Sequence, residues 1–113
     1  MGKLAGEYRF ERRLRKLFEK EGFVVIKCAR SRPFDLIVMK MGVVVAIEVK
    51  SERKNLTEPQ LEMQIDLATQ AGVNYVALRQ MKGGKIKLSS FKGTIDDDAL
   101  VKIERALGKK LVK

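Results

Sequence analysis

Histidine is absent from this 113-residue chain, and cysteine occurs once. Without an imidazole, Ser-His-Asp hydrolysis, His-based nucleases and most zinc hydrolases are excluded together, which leaves carboxylates and lysines to do any chemistry. The lone Cys28 excludes an internal disulfide and a multi-cysteine zinc site; set in an apolar run, it reads as a core residue in preference to a nucleophile. No stretch approaches the ~18 consecutive apolar residues of a membrane span, and the N-terminus opens polar, without a signal-peptide core. A protein working inside the cell is expected, cytoplasmic or nucleoid-associated, from a cellular or a phage or virus genome, with no membrane partner. Internal repeats and low-complexity linkers are also lacking. One domain over residues 1–113 is expected, since the chain suffices for one core and is too short for two.

What is present is charge. The charged fraction is 34% and of mixed sign, beside 45% hydrophobic residues, a balance of soluble globular proteins and not of disordered tails. Twenty-four Lys and Arg face fourteen Asp and Glu, a formal net charge of +10, which suits a polyanionic partner, nucleic acid first among them. The excess is uneven: residues 1–32 hold ten basic and four acidic side chains.

From about Ala5 to Glu21, Phe10, Leu14, Leu17 and Phe18 recur at helical spacing, and Gly22 supplies a stop. The other faces of this helix carry Arg9, Arg12, Arg13, Arg15, Lys16 and Lys20. Three apolar, β-branched runs follow, Phe23 to Lys27, Phe34 to Met39 and Val43 to Val49, and predict a strand meander. Thr57 as N-cap, Pro59 in the first turn and Gln60 in a capping box predict a second helix, running to about Ala71 and Gly72. Two more strands are expected at Asn74 to Arg79 and Lys85 to Ser89 around a Lys82-Gly83-Gly84 turn. Asp96, Asp97 and Asp98 then lead into a last helix, Leu100 to Leu107. The sum is an α/β fold, a mixed central sheet of about five strands flanked by helices.

In Val45-Ala46-Ile47-Glu48-Val49-Lys50, side chains alternate across a strand, so Glu48 and Lys50 share one face and Ile47 and Val49 the other. Two charges in an apolar strand are costly unless used or paired. If the preceding hairpin turns on Met41-Gly42, Lys40 faces Val43 and Asp35 faces Glu48. Cross-strand partners lie roughly 4.5–5.5 Å apart at Cβ, which lets two carboxylates share one hard divalent cation. Met41 is an unfavoured residue at positive φ, and a three-residue loop would shift that register. On the first helix, at about 100° per residue, Glu11 falls at the edge of the Phe10, Leu14, Phe18 stripe, and Glu7, one turn earlier, is the competing acid.

Asp35 followed after twelve residues by Glu48-Val49-Lys50 resembles the PD-(D/E)XK nuclease superfamily, with Phe34 where its name has proline. The order of an acid on a basic helix, Gly22-Phe23-Val24-Val25-Ile26-Lys27, a loop containing Ser31, and the Asp35 and Glu48-Lys50 strands resembles archaeal-type Holliday junction resolvases over about residues 6–52. The resemblance implies a restriction-endonuclease-like fold, a branched DNA substrate and a homodimer, because two opposed cuts need two sites. Met81 and Phe91 are candidates for its interface. It also implies that Glu11, in preference to Glu7, is the helix acid, with Arg12 the basic residue after it. Lys27 stands where the family usually has arginine, which keeps a cation but loses a bidentate donor. Ser31 matches a loop serine near the junction. Gln60, ten residues after Lys50, also looks like the virus-type replication and repair (VRR-NUC) branch, although a capping box accounts for it without catalysis.

These residues together predict an endonuclease. Asp35 and Glu48, with Glu11 through water, hold Mg²⁺, for which Mn²⁺ can substitute, and Lys50 orients the attacking water or stabilises phosphorane-like charge. Arg9, Arg12, Arg13, Lys16, Lys27, Arg30, Ser31 and Arg32 are the expected DNA contacts. Other readings are a nuclease for flaps, nicks or duplex DNA, a non-catalytic DNA-binding protein with a nuclease-like fold, and a plain buried ion pair at Lys50.

Overall fold

The computed structural model describes residues 5–29, 32–50, 58–81, 85–88 and 95–108. Its elements in chain order are α1 (Ala5–Lys20), β1 (Val24–Lys27), β2 (Leu36–Lys40), β3 (Val43–Lys50), α2 (Glu58–Ala71), β4 (Asn74–Gln80), β5 (Ile86–Leu88) and α3 (Asp97–Leu107). The strands form one sheet in sequence order, β1-β2-β3-β4-β5. All neighbours are antiparallel except β3 and β4. That parallel pair needs a crossover, which contains α2. The fold is thus α/β with a mixed five-stranded sheet and three helices, as expected.

Period-two alternation splits the core between the two sides of the sheet. Val45, Ile47, Val49, Val76 and Leu78 pack with Phe10, Leu14 and Phe18 of α1 and Ala99 and Ile103 of α3. Ala46, Tyr75 and Ala77 point the other way, to Phe34 and to Ala68, Leu61 and Ile65 of α2. No described helix is long and apolar enough to cross a membrane.

The hairpin keeps the expected register, from Leu36 opposite Ile47 to Lys40 opposite Val43. Met41 adopts φ 50° and Gly42 φ 82°, positive at both central positions as the two-residue turn of a twisted hairpin requires. After α1, Phe23 N donates to Phe18 O and Gly22 N to Glu19 O, both at 3.0 Å, and the two Phe rings meet edge to face at 5.2 Å, a Schellman closure with its apolar contact. Gly72 ends α2 in the same way, with Val73 N on Ala68 O. The last helix starts earlier than its apolar pattern suggests: Asp96 caps it by accepting from Ala99 N at 2.8 Å, and Asp97 and Asp98 are its first turn. β2, by contrast, begins later than its apolar run, at Leu36, leaving Phe34 and Asp35 ahead of the ladder. The Thr57 cap, the Lys82-Gly83-Gly84 turn, Ser89 and Phe91 lie outside the described residues.

Candidate active site

Asp35 and Glu48 are brought together, though not as a regular ladder pair. The ladder stops at Leu36; Asp35 lies in a bend, its N donating to Ile47 O at 3.0 Å, and its Oδ2 accepts Val49 N at 2.7 Å. The carboxylate thereby takes a backbone donor at the end of β3, alongside Glu48. Both acids are buried, at 1% and 7% exposure.

On the α2 side of β3, Glu48 has partners at both oxygens. Lys50 Nζ stands 3.2 Å from Oε2, and Gln64 Nε2 of α2 donates to Oε1 at 3.0 Å. Burial, followed by the charge of Asp35, raises the Glu48 carboxyl from 4.5 to about 7, against the opposing pull of Lys50 and the Gln64 hydrogen bond. Lys50 therefore offsets this paired negative charge only in part. The donor set is two hard carboxylates, of which buried Glu48 resists ionisation, and it fits a hard divalent cation. Asp35 and Glu48 are the residues that would hold it.

Glu11 faces inward on α1, fully buried, with Lys27 Nζ 3.4 Å from its Oε2. Among the described residues, no three His, Cys, Asp or Glu side chains are grouped closely enough to hold one ion. The charges of all three acids are felt at Cys28. Its thiol is raised chiefly by burial, opposed by a backbone hydrogen bond with Phe34 and raised further by Asp35, Glu11 and Glu48. It packs against the α2-side core and stays a protonated thiol, not a nucleophile. The side chain of Glu7 lies outside the described residues.

Arg9, Arg12, Arg13 and Lys16 are exposed on the outer side of α1 and line one shallow depression with Leu17 and Lys20. Lys27, at the end of β1, pairs with Glu11 and also lies over the Tyr8 ring, 4.8 Å from its centroid. Arg32 is exposed; Arg30 and Ser31 lie outside the described residues.

The glutamine that meets Glu48 is not the one singled out from the sequence. Gln60 is exposed on the first turn of α2, and Gln64, one turn later, is 5% exposed. Gln64 also donates from Nε2 to Pro33 O at 3.1 Å, and its Oε1 accepts from the hydroxyl of Tyr75. Burial and the nearby Glu48 and Asp35 charges push the Tyr75 phenol strongly upward, so it acts as a donor. A sequence signal for Gln64 existed: it is the polar member of the stripe Leu61, Gln64, Ile65, Ala68. Nothing in the spacing marks Tyr75, which reads as an ordinary strand aromatic.

The family model described as the archaeal Holliday junction resolvase (Hjc) matches residues 3–111. A curated relative from Methanocaldococcus jannaschii, the crossover junction endodeoxyribonuclease Hjc, is 49% identical over 45 residues, which cover 40% of this chain and 34% of that protein. The match thus spans about a third of the relative's length. A solved structure, the Holliday junction resolvase Hjc of the hyperthermophile Archaeoglobus fulgidus, aligns with a TM-score of 0.68 at 21% identity, covering 93% of this chain and 98% of that one. At that identity the likeness is one of fold.

Proposed function

The chain belongs to the archaeal Holliday junction resolvase family, and from that premise we propose that it is a metal-dependent endonuclease of branched DNA, cutting four-way junctions with Asp35, Glu48 and Lys50. The observation that carries this is the buried Asp35 and Glu48 pair with Lys50 at 3.2 Å on the same face. Asp35 and Glu48 would hold a divalent cation, Mg²⁺ or Mn²⁺, which when bound would supply Lewis-acid polarisation of the scissile phosphate and a water of lowered pKa. Lys50, held by Glu48, presents a fixed ammonium that orients the attacking water and stabilises negative charge on the phosphoryl oxygens. Attack forms the new P–O bond and breaks the bond to the leaving sugar oxygen. Glu11, buried beside Lys27, is the third acid of the site and acts through a bridging water. Arg9, Arg12, Arg13 and Lys16 hold the DNA backbone by its phosphates, with Arg30, Ser31 and Arg32 as further DNA contacts.

Two opposed cuts require two sites, and this chain carries one, so the active species is a homodimer. Support comes from apolar side chains left on the surface: Val24 and Ile26 of β1 are 59% and 45% exposed, on the side of the sheet that carries α2. A DNA substrate puts the protein's work in the cytoplasm with the genome.

The deciding assay uses a labelled four-way junction with and without Mg²⁺. Asp35→Asn and Lys50→Ala are expected to bind the junction as wild type does and to lose cleavage. Equal cleavage by wild type and Asp35→Asn overturns the site. Flap, nicked and linear duplex substrates run in parallel rank the specificity, and binding without any Mg²⁺-dependent cutting would mark a non-catalytic DNA-binding protein.

A further inference from the structure

Gln64 is a buried amide on the α2 side of the sheet, with acceptors on one side and a donor on the other. Its Nε2 donates to Glu48 Oε1 at 3.0 Å and to Pro33 O at 3.1 Å. Both partners are acceptors, so the two hydrogens of the amide are committed to them and the orientation of the group is fixed. The remaining Oε1 faces the Tyr75 hydroxyl. Tyr75 is itself fully buried on β4, where a phenol hydroxyl without an acceptor is costly. Turning the amide over would aim its oxygen at two acceptors and its hydrogens at a donor. The network therefore has one arrangement.

That arrangement has a consequence for the acid pair. Pro33 lies two residues before Asp35, and Asp35 is fixed in turn by Val49 N and Ile47 O. One amide group thus connects the segment leading into Asp35 to the carboxylate of Glu48, while Lys50 takes the other Glu48 oxygen. The geometry points to Gln64 as a positioning residue. Held by Tyr75, it sets the orientation of the Glu48 carboxylate and the spacing of the two acids, and so preorganises the site for a divalent cation. This rests on the nuclease reading for the identity of the site, but the role concerns cation binding and can be measured without DNA. Groups behind the ligands of a metal typically account for ~10–100-fold in metal affinity or activity when removed.

The test measures Mn²⁺ binding to DNA-free protein by electron paramagnetic resonance and junction binding in EDTA. Thermal melting and single-turnover cleavage across a Mn²⁺ titration complete it. Gln64→Leu is expected to weaken Mn²⁺ binding about 10–100-fold and to move the cation requirement of cleavage by the same factor, with junction affinity unchanged. Tyr75→Phe keeps the amide and loses its anchor, and is expected to weaken Mn²⁺ binding by a smaller factor, about 3–10-fold. The double variant should bind Mn²⁺ no more weakly than Gln64→Leu alone, because Tyr75 acts through Gln64. If Gln64→Leu does not fold, Tyr75→Phe and Gln64→Met carry the same comparison. Variants that melt lower while Mn²⁺ affinity stays at the wild-type value overturn the inference, as do fully additive losses in the double variant. Wild type that binds Mn²⁺ but cuts no DNA overturns the nuclease reading alone, and wild type that binds none overturns both.

Discussion

Glu48 is a buried acid held between a neighbouring carboxylate and an amine. Its carboxyl rises from 4.5 to about 7 through burial and the Asp35 charge. Between those values the folded chain binds more proton than the unfolded one, so this group's stabilising contribution is complete below 4.5 and is lost as pH rises through 7. In cation-free buffer, melting temperature is expected to fall between about pH 5 and pH 8. Glu48→Gln should flatten that slope and, in the same protein, abolish cleavage. A profile that Glu48→Gln leaves unchanged places the pH dependence elsewhere. The shared face of Glu48 and Lys50 was legible in the sequence because strand alternation is a strict period of two, and a charged pair two residues apart in an apolar run must share a face. The helix stripe marks Gln64 as inward-facing, but its meeting with Glu48 and Tyr75 was not legible, because it arises where α2 crosses the sheet, and no local pattern records which helix residue ends over which strand residue.

At the scale of the elements, α1 divides its labour by face. Phe10, Leu14 and Phe18 are buried together with Glu11, while Arg9, Arg12, Arg13 and Lys16 are exposed. Replacing Arg12 and Arg13 by Ala should weaken binding to junction, flap and duplex alike and reduce the slope of log affinity against log salt by about 1.8, the loss of two phosphate contacts. An unchanged slope means that α1 is not the phosphate-contacting surface. The β2–β3 hairpin invites a different change. Met41 is 88% exposed and stands at φ 50°, a conformation that L residues other than Asn and Asp adopt at a cost. Met41→Asn, which creates the favoured Asn-Gly turn, is expected to stabilise by up to about 1 kcal/mol in urea unfolding, with cleavage unchanged. A decrease in stability would contradict the two-residue turn. The hairpin register was readable from the turn position, whereas its termination at Leu36 was not: the Asp35 side chain competes for a backbone donor that a continuing ladder would use. The early start of α3 has a similar cause, since the Asp96 cap begins the helix before its apolar stripe does.

For the whole molecule, the proposed homodimer sets the prediction. Ile26→Asp places a charge among the exposed apolar residues of β1, and is expected to convert a dimer to monomer in sedimentation while leaving the melting temperature of the monomer fold nearly intact. Such a variant should nick a junction on one strand and fail to make paired cuts. A wild-type monomer in sedimentation would remove the two-site argument. The sequence by itself determined the element order, the basic face of α1, the chemistry available once histidine is absent, and the shared face of Glu48 and Lys50, because each depends on local periodicity or composition. Only the tertiary structure decided how Asp35 is held beside Glu48, that Glu11 is buried against Lys27, and that Gln64 meets Glu48. Those outcomes depend on contacts between segments distant in the chain, where packing, desolvation and the satisfaction of buried polar groups choose among arrangements that the local pattern permits equally.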